Sequence, residues 1–206
     1  MSSVPPGFAA TSWRSRLLLL AHLGYTAGAV RVGQKFALRR SIDYRLVAFM
    51  ATLPDVIDRP LHVFVIPGAQ SGRLFAHTLV FNLVLLAVLV AIRRGLWIYG
   101  ILPLLHLTMD LQGLSAHQFF WPFLGPDLGN VHIPGGLAET AGQSYGDRIG
   151  DRIHSILDTY SGAGVRSLLI DAGGLAALGI FALKSRLYER RRFARLVATG
   201  DVETHA

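Results

Sequence analysis

A run of nineteen residues, LFAHTLVFNLVLLAVLVAI (74–92), contains no aspartate, glutamate, lysine or arginine. As a helix it would extend about 28 Å, close to the roughly 30 Å hydrocarbon core of a bilayer. A segment this apolar must be surrounded by a large protein core or by lipid. The chain has 206 residues, enough for one domain. The run therefore favours a helix that lies in a membrane.

Four other segments complete a predicted bundle. Segments 96–114 and 165–183 have similar length and one or two charged residues, whereas 12–30 and 41–58 are weaker candidates. Hydrophobic residues make up 51% of the chain and charged residues 16%, which is too apolar for an ordinary soluble domain. We predict an all-α fold, an integral membrane helical bundle with about five transmembrane or partly re-entrant helices.

The first segment has an alternative interpretation as a signal peptide. Arg14 and Arg16 precede four leucines, but His22 and Gly24 interrupt the apolar core after five residues. That core is short for a signal peptide, so a retained helix is the favoured interpretation. The whole chain is then one membrane domain, with helices over 12–114 that carry the polar residues described below.

Lysine and arginine residues are concentrated on one side of this path. Thirteen of the twenty fall between the first two candidate helices, between the third and fourth, and after the fifth. By the positive-inside rule these segments face the cytoplasm, which places the amino terminus outside. The basic tail (184–206) is expected either to contact anionic lipid head groups or to act only as a stop-transfer anchor.

Ionisable residues from four predicted helices lie near the outer face in this topology. They are His22 in the first helix, Asp55 and Asp58 at the end of the second, His77 one turn into the third, and His106 and Asp110 near the end of the fourth. Such groups are costly inside a membrane, and agreement in depth by chance is not expected. The pattern indicates a functional site.

The spacing of these residues suits metal binding. His106 and Asp110 at i and i+4, Asp55 and Asp58 at i and i+3, and Arg73 and His77 at i and i+4 each share one helix face. Histidine nitrogens and carboxylate oxygens hold divalent ions. The alternatives are a buried pair that joins helices, a polar helix end at the head groups, and an arginine that snorkels to the interface.

The same residues resemble a known family. His22, Pro54-Asp55 with Asp58, Arg73 with His77, His106 with Asp110, and Trp121-Pro122 follow the order found in bacterial inner-membrane-associated metal-dependent hydrolases, a family also labelled LexA-binding. The resemblance covers residues 15–125. The chain has Gly72 where the family has histidine, and its two aspartates are one residue further apart. A more distant similarity to zinc-dependent phospholipase C and single-strand nucleases implies phosphodiester chemistry.

The resemblance and the residue types together imply a multi-pass protein of the bacterial inner membrane that hydrolyses a phosphoester or lipid substrate. We expect a divalent metal ion, zinc first, on His22, Asp55, His77, His106 and Asp110. A metal-bound water has a pKa near about 7, Asp58 or Asp110 would take a proton, and Arg73 would neutralise a phosphoryl oxygen. Membrane lipids are the expected partners, and nucleic acid is not expected.

Residues 115–164 form a predicted outer loop. HQFFWPF (117–123) is typical of an aromatic belt at the head groups, and His117 and His132 are weaker candidate ligands. The repeat GDRIGDRI (146–153) predicts a surface amphipathic helix, with phosphate binding by Arg148 and Arg152 as the alternative.

Two other functions use the same residues. In a transporter or channel component they would relay protons or ions. In a non-catalytic scaffold they would lie apart, whereas the hydrolase interpretation predicts that at least three of them converge within coordination reach.

Overall fold

The computed structural model describes residues 19–36, 41–65, 73–110, 116–125, 146, 150 and 165–202. Within these residues the fold is entirely helical, as predicted, and no strand is present. The elements are α1 (Leu19–Phe36), α2 (Tyr44–Pro60), a π-helical turn (Leu61–Val65), a 3₁₀ turn (Phe75–His77), α3 (Leu79–Ile92), a 3₁₀ turn (Arg94–Leu96), α4 (Trp97–Met109), α5 (Ala116–Phe119), α6 (Val165–Lys184) and α7 (Arg190–Thr199).

The predicted third helix is divided in two. A 3₁₀ turn occupies Phe75–His77, and α3 begins at Leu79, where the Thr78 side chain accepts a hydrogen bond from the amide of Phe81 (3.2 Å). His77 therefore precedes α3, and the prediction that it lies one turn into a helix is wrong. The physical reason is a threonine N-cap, which starts a helix four residues inside the apolar run.

Other predicted helix boundaries also differ from those in the structure. α1 extends to Phe36, beyond the predicted end at 30, and α2 extends past the predicted end at 58 to Pro60 and continues as a π-helical turn. Within the residues described, no helix has both the length and the apolarity required to cross a membrane. The repeat at 146–153 lies outside the described residues except for Gly146 and Gly150, as do His132 and Gly72.

An apolar core joins four of the helices. Its buried side chains come from α1, α2, α4 and α6 and include Val30, Val47, Met50, Leu102 and Phe181. The carboxyl-terminal residues join this core through Val202, and α7 packs on it through Leu196. This core fixes α1, α2 and α4 against each other, and these three helices carry most of the polar residues singled out in the sequence.

Helices α1 and α6 approach closely where both carry glycine. A Cβ on Gly174 would lie 2.6 Å from the Cα of Ala21, and a Cβ on Gly24 would overlap the carbonyl oxygen of Gly174. The Tyr25 hydroxyl donates to the carbonyl of Ile170 (2.7 Å). Backbones can come this near only without side chains between them. The packing next to His22 therefore depends on these glycines.

The basic tail includes a helix, α7, that is attached to the start of α2. The amide of Tyr44 donates to the carbonyl of Gly200 (2.8 Å), and Arg45 Nη1 donates to the carbonyl of Ala198 (2.7 Å). Gly200 has φ of 75°, which favours glycine, and a Cβ there would overlap the Asp43 carboxylate. These bonds satisfy carbonyls that the end of a helix leaves unpaired.

Helix α3 buries its one polar residue fully, whereas its apolar residues are half-buried or exposed. Asn82 is the one buried residue along its fourteen positions, all of which the structure describes. Its side chain donates to the carbonyls of Ala76 (2.9 Å) and Thr78 (2.7 Å). Exposed apolar side chains include Val84, Val88 and Ile92 of α3 and Leu169, Ile180 and Leu183 of α6.

Gly174→Ala and Gly179→Ala should have opposite effects on stability. Both exchanges favour the helical backbone by up to about 1 kcal/mol. A Cβ on Gly179 meets open space, whereas one on Gly174 meets the α1 backbone. We expect Gly174→Ala to lower the free energy of unfolding by about 1–3 kcal/mol, measured in detergent by thermal or denaturant unfolding. Equal effects from the two variants would contradict the close packing.

Candidate metal centre

Asp58 attaches the end of α2 to the 3₁₀ turn that carries His77. Its carboxylate accepts backbone hydrogen bonds from Leu74 (2.6 Å), Ala76 (3.0 Å) and His77 (3.2 Å). It is fully buried, and it also lies 2.7 Å from Nδ1 of His77. A buried carboxylate with this many donors is held firmly in place, so Asp58 fixes both the turn and the imidazole.

The contact with Asp58 determines which nitrogen of His77 is available. The carboxylate only accepts, so Nδ1 carries the proton and donates to it. Nε2 of the neutral ring then offers a lone pair. It lies 3.6 Å from Oδ2 of Asp110 and 3.8 Å from Oδ1 of Asp55. A carboxylate behind a histidine in this way is the usual support of a metal-binding imidazole.

His106 is oriented in the same way by a backbone carbonyl. Its Nδ1 lies 2.8 Å from the carbonyl oxygen of Ala51 in α2, which only accepts, so Nδ1 donates. Nε2 of the neutral ring is left with a lone pair and lies 3.9 Å from Oδ2 of Asp110. The predicted pairing of His106 with Asp110 on one face of α4 is therefore present.

His22 reaches the same cluster from α1. Its ring stacks on the ring of His106 with centroids 4.2 Å apart and planes at 26°. Its Nε2 lies 3.4 Å from Oδ1 of Asp110. Both side chains are buried, and the close approach of α1 and α6 at Gly174 keeps His22 at this position.

Each of the two remaining carboxylates is bound on one side by an arginine. Arg73 Nε donates to Oδ2 of Asp110 (2.7 Å), and Arg59 Nη2 donates to Oδ2 of Asp55 (2.9 Å). The Gln118 side chain donates to the backbone carbonyl of Arg73 and so ties α5 to this segment. The other oxygen of each carboxylate, Oδ1, lies within 4 Å of a histidine nitrogen.

The separations between donor atoms fit one coordination shell. Zinc bonds of about 2.0–2.2 Å at tetrahedral angles place neighbouring donors about 3.3–3.6 Å apart. Two groups have donor atoms that all lie within 4.8 Å of one another, His22–His106–Asp110 and Asp55–His77–His106. Both need Nε2 of His106, which has a single lone pair. The arrangement therefore suits one ion between the two groups.

The buried polar atoms at this place also fit a cation. Nε2 of His77, Nε2 of His106 and Oδ1 of Asp110 are buried and accept no hydrogen bond from the part of the chain that is described. Leaving such atoms unsatisfied is costly. All three atoms offer an electron pair. A metal ion can accept these electron pairs, whereas a hydrogen-bond acceptor of the protein cannot.

The structure brings together the seven main site residues expected from the sequence, and it gives some of them different neighbours; they are His22, Asp55, Asp58, Arg73, His77, His106 and Asp110. The four bonds to Asp58 favour a positioning role over the proton transfer expected for it, and Arg73 is engaged with Asp110. His117 is exposed. The candidates His132, Arg148 and Arg152 lie outside the described residues.

Three contributors were missed in the sequence. Arg59 was counted only as a basic residue, although its position four residues after Asp55 was a usable signal. Asn82 is the single amide in an apolar run, and a polar residue there usually has a buried partner. Gln118 had no signal, because its contact with Arg73 depends on the fold.

Comparisons with known proteins add no assignment. No family model, no curated protein and no solved structure matches the chain.

Asp58→Asn should weaken both the fold and metal binding. The amide leaves one acceptor oxygen for four donors, so we expect a loss of about 2–4 kcal/mol in the free energy of unfolding of metal-free protein. Loss of the carboxylate behind His77 should lower metal affinity about 10–100-fold, measured by competition with a chelator. Asp43→Asn, at the other end of α2, is the matched control and should keep the affinity. Unchanged affinity in Asp58→Asn would refute the role given to it.

Proposed function

We propose that the protein is a membrane-bound metal-dependent hydrolase that acts on a phosphoester or lipid substrate. The observation that supports this most is the convergence of three histidines and two aspartates from α1, α2, the 3₁₀ turn and the end of α4. Three of these side chains have an Nε2 or carboxylate atom that is buried and accepts no hydrogen bond from the described residues.

The ion would be held by His22, His77, His106 and Asp110, with Asp55 as a further ligand. Zinc is the first candidate because imidazole and carboxylate ligands without cysteine suit it, although they also suit manganese and iron. When bound, such an ion polarises an ester oxygen and supplies a water of lowered pKa.

The residues of the chain have separate tasks in the proposed reaction. Asp58 and the carbonyl of Ala51 hold the histidine rings, and Arg73 holds Asp110 while it adds positive charge near the cluster. In hydrolysis the oxygen of water bonds to phosphorus, the bond from phosphorus to the alcohol oxygen breaks, and a proton passes to the alcohol. Oδ2 of Asp110 accepts from Arg73 and Oδ1 is assigned to the ion, so Asp110 acts as a ligand, and the proton of the water passes to the alcohol oxygen without it.

The proposed location is the bacterial inner membrane, with lipid around the bundle. Support comes from α3, where valine, leucine and isoleucine side chains are exposed while Asn82 is buried. An exposed apolar surface of this extent is unfavourable in water and favourable in lipid. The charge distribution along the sequence supports an outer amino terminus and an inner carboxyl terminus.

The two alternative functions predict different properties of the cluster. A scaffold predicts that these polar residues lie apart, and they do not. A transport or proton-relay component would use the same histidines and aspartates without a resident metal, so metal content separates it from the hydrolase.

Purified protein should contain close to one divalent metal ion per chain. His106→Ala combined with Asp110→Ala should abolish this, because the double variant removes the nitrogen that both ligand groups share and one carboxylate. Metal analysis of protein purified in detergent measures the content, followed by a phosphoester hydrolysis screen. His117→Ala removes an exposed histidine and is the matched control. If the folded wild type contains no metal, the proton-relay function would be favoured over the hydrolase.

The protein should remain in the membrane fraction after alkaline carbonate extraction. Peripheral proteins are released by this treatment, whereas a bundle that exposes apolar helices to lipid is retained. A reporter fused to the carboxyl terminus should be active only on the cytoplasmic side. Release into the supernatant would contradict the proposed location without affecting the metal test.

A further inference from the structure

Arg59 differs from every other charged residue of the metal centre in its exposure. Its side chain is 45% exposed, compared with 13% for Arg73 and 4% for Asp110. It follows Asp58 at the end of α2 and donates to Asp55, whose Oδ1 faces Nε2 of His77. Arg59 therefore extends from the buried cluster to the surface of the protein.

Most of the hydrogen-bonding capacity of Arg59 is not used by the described residues. One bond, from Nη2 to Asp55, is its contact within the described part of the chain. A guanidinium has several more N–H donors, arranged in a fork that matches the oxygens of a phosphate or carboxylate. An arginine needed only to neutralise Asp55 does not require this exposure, since Arg73 neutralises Asp110 while almost buried.

An exposed apolar stripe runs along α2 beside Arg59. Phe49 and Val56, seven residues apart and so on one face of the helix, are each 51% exposed. The π-helical turn continues the exposed apolar surface with Phe64 and Val65. The opposite face of α2 buries Asp55 and Asp58. Arg59 thus has the metal centre on one side and apolar surface on the other.

We propose that Arg59 receives the anionic group of the substrate at the edge of the metal centre, and that the substrate is an amphiphile. Its acidic head bonds to the unused donors of Arg59, and its hydrocarbon chain lies along Phe49 and Val56. This inference rests on the proposed function and narrows it to phosphoesters that carry a long apolar chain. A water-soluble phosphoester would satisfy Arg59 but make no contact with the stripe.

The test uses full-length protein in a non-ionic detergent, loaded with the metal ion that it is found to bind. The probes are dodecyl phosphate, methyl phosphate and inorganic phosphate, with affinity measured by titration calorimetry and metal content measured on the same samples. Arg59→Gln removes the anion-binding fork, and Arg94→Gln, at an exposed site after α3, is the matched charge control. Val56→Ser shortens the apolar stripe, and Val88→Ser, on the exposed face of α3, is its control.

The wild type should bind dodecyl phosphate at least about tenfold more tightly than methyl phosphate. Arg59→Gln should weaken dodecyl phosphate binding about tenfold or more and keep its metal, because it loses charge-assisted bonds to the head. Arg59→Lys keeps the positive charge without the forked donors, so its affinity for dodecyl phosphate should lie between those of the wild type and Arg59→Gln. Val56→Ser should reduce the preference for the long chain, and both controls should match the wild type.

Four results would overturn the inference. Equal affinity of wild type and Arg59→Gln for dodecyl phosphate would remove Arg59 from substrate binding. Loss of metal in Arg59→Gln and Arg59→Lys would show that the arginine acts on Asp55 instead. A wild type that holds no metal overturns the proposed function and this inference together, whereas metal-loaded protein that fails the probe comparisons overturns the inference alone.

Discussion

The carboxylate of Asp58 is the contact on which the arrangement of the centre depends most. It lies in the last turn of α2, accepts three backbone N–H groups at the 3₁₀ turn that precedes α3, and fixes the ring of His77. A 3₁₀ turn of three residues has few bonds of its own, so its position has to come from elsewhere. Asp58 both shapes the turn and orients the ring of His77. A change in the backbone of this turn therefore also changes the position of a proposed metal ligand.

Two helices bury polar side chains while some of their apolar side chains are exposed. In α2 the aspartates are buried and Phe49 and Val56 are exposed, and in α3 Asn82 is buried among exposed aliphatic residues. A protein surrounded by water places its apolar residues inside, because their burial provides most of the stability. Near the centre polar side chains join the helices by hydrogen bonds, while apolar side chains form the core around Val47 and Met50 and also cover part of the outside, which supports the proposed membrane location.

The parts of the fold that follow from local sequence rules were predictable. The all-helical class came from apolar runs, and the pairing of His106 with Asp110 came from i, i+4 spacing, which needs no knowledge of tertiary structure. The division of the third segment at Thr78 was missed because the apolar run continues on both sides of this threonine, so hydropathy alone shows no helix start there. The saturation of Asp58 by backbone amides was not predictable, since those amides belong to a turn sixteen to nineteen residues away.

Charge balance gives a reason for both the cation and the anionic substrate. The three carboxylates of Asp55, Asp58 and Asp110 outnumber the two guanidiniums of Arg59 and Arg73 by one, and Nδ1 of His77 and of His106 donates, which leaves Nε2 of each ring as a possible ligand. The cluster then has one uncompensated negative charge in a buried place, which is costly. A divalent cation reverses this to one positive charge, so the loaded centre attracts an anion. Arg59 carries the positive charge of the centre that lies nearest to the surface. An anion bound to Arg59 would therefore lie next to Asp55, a proposed metal ligand.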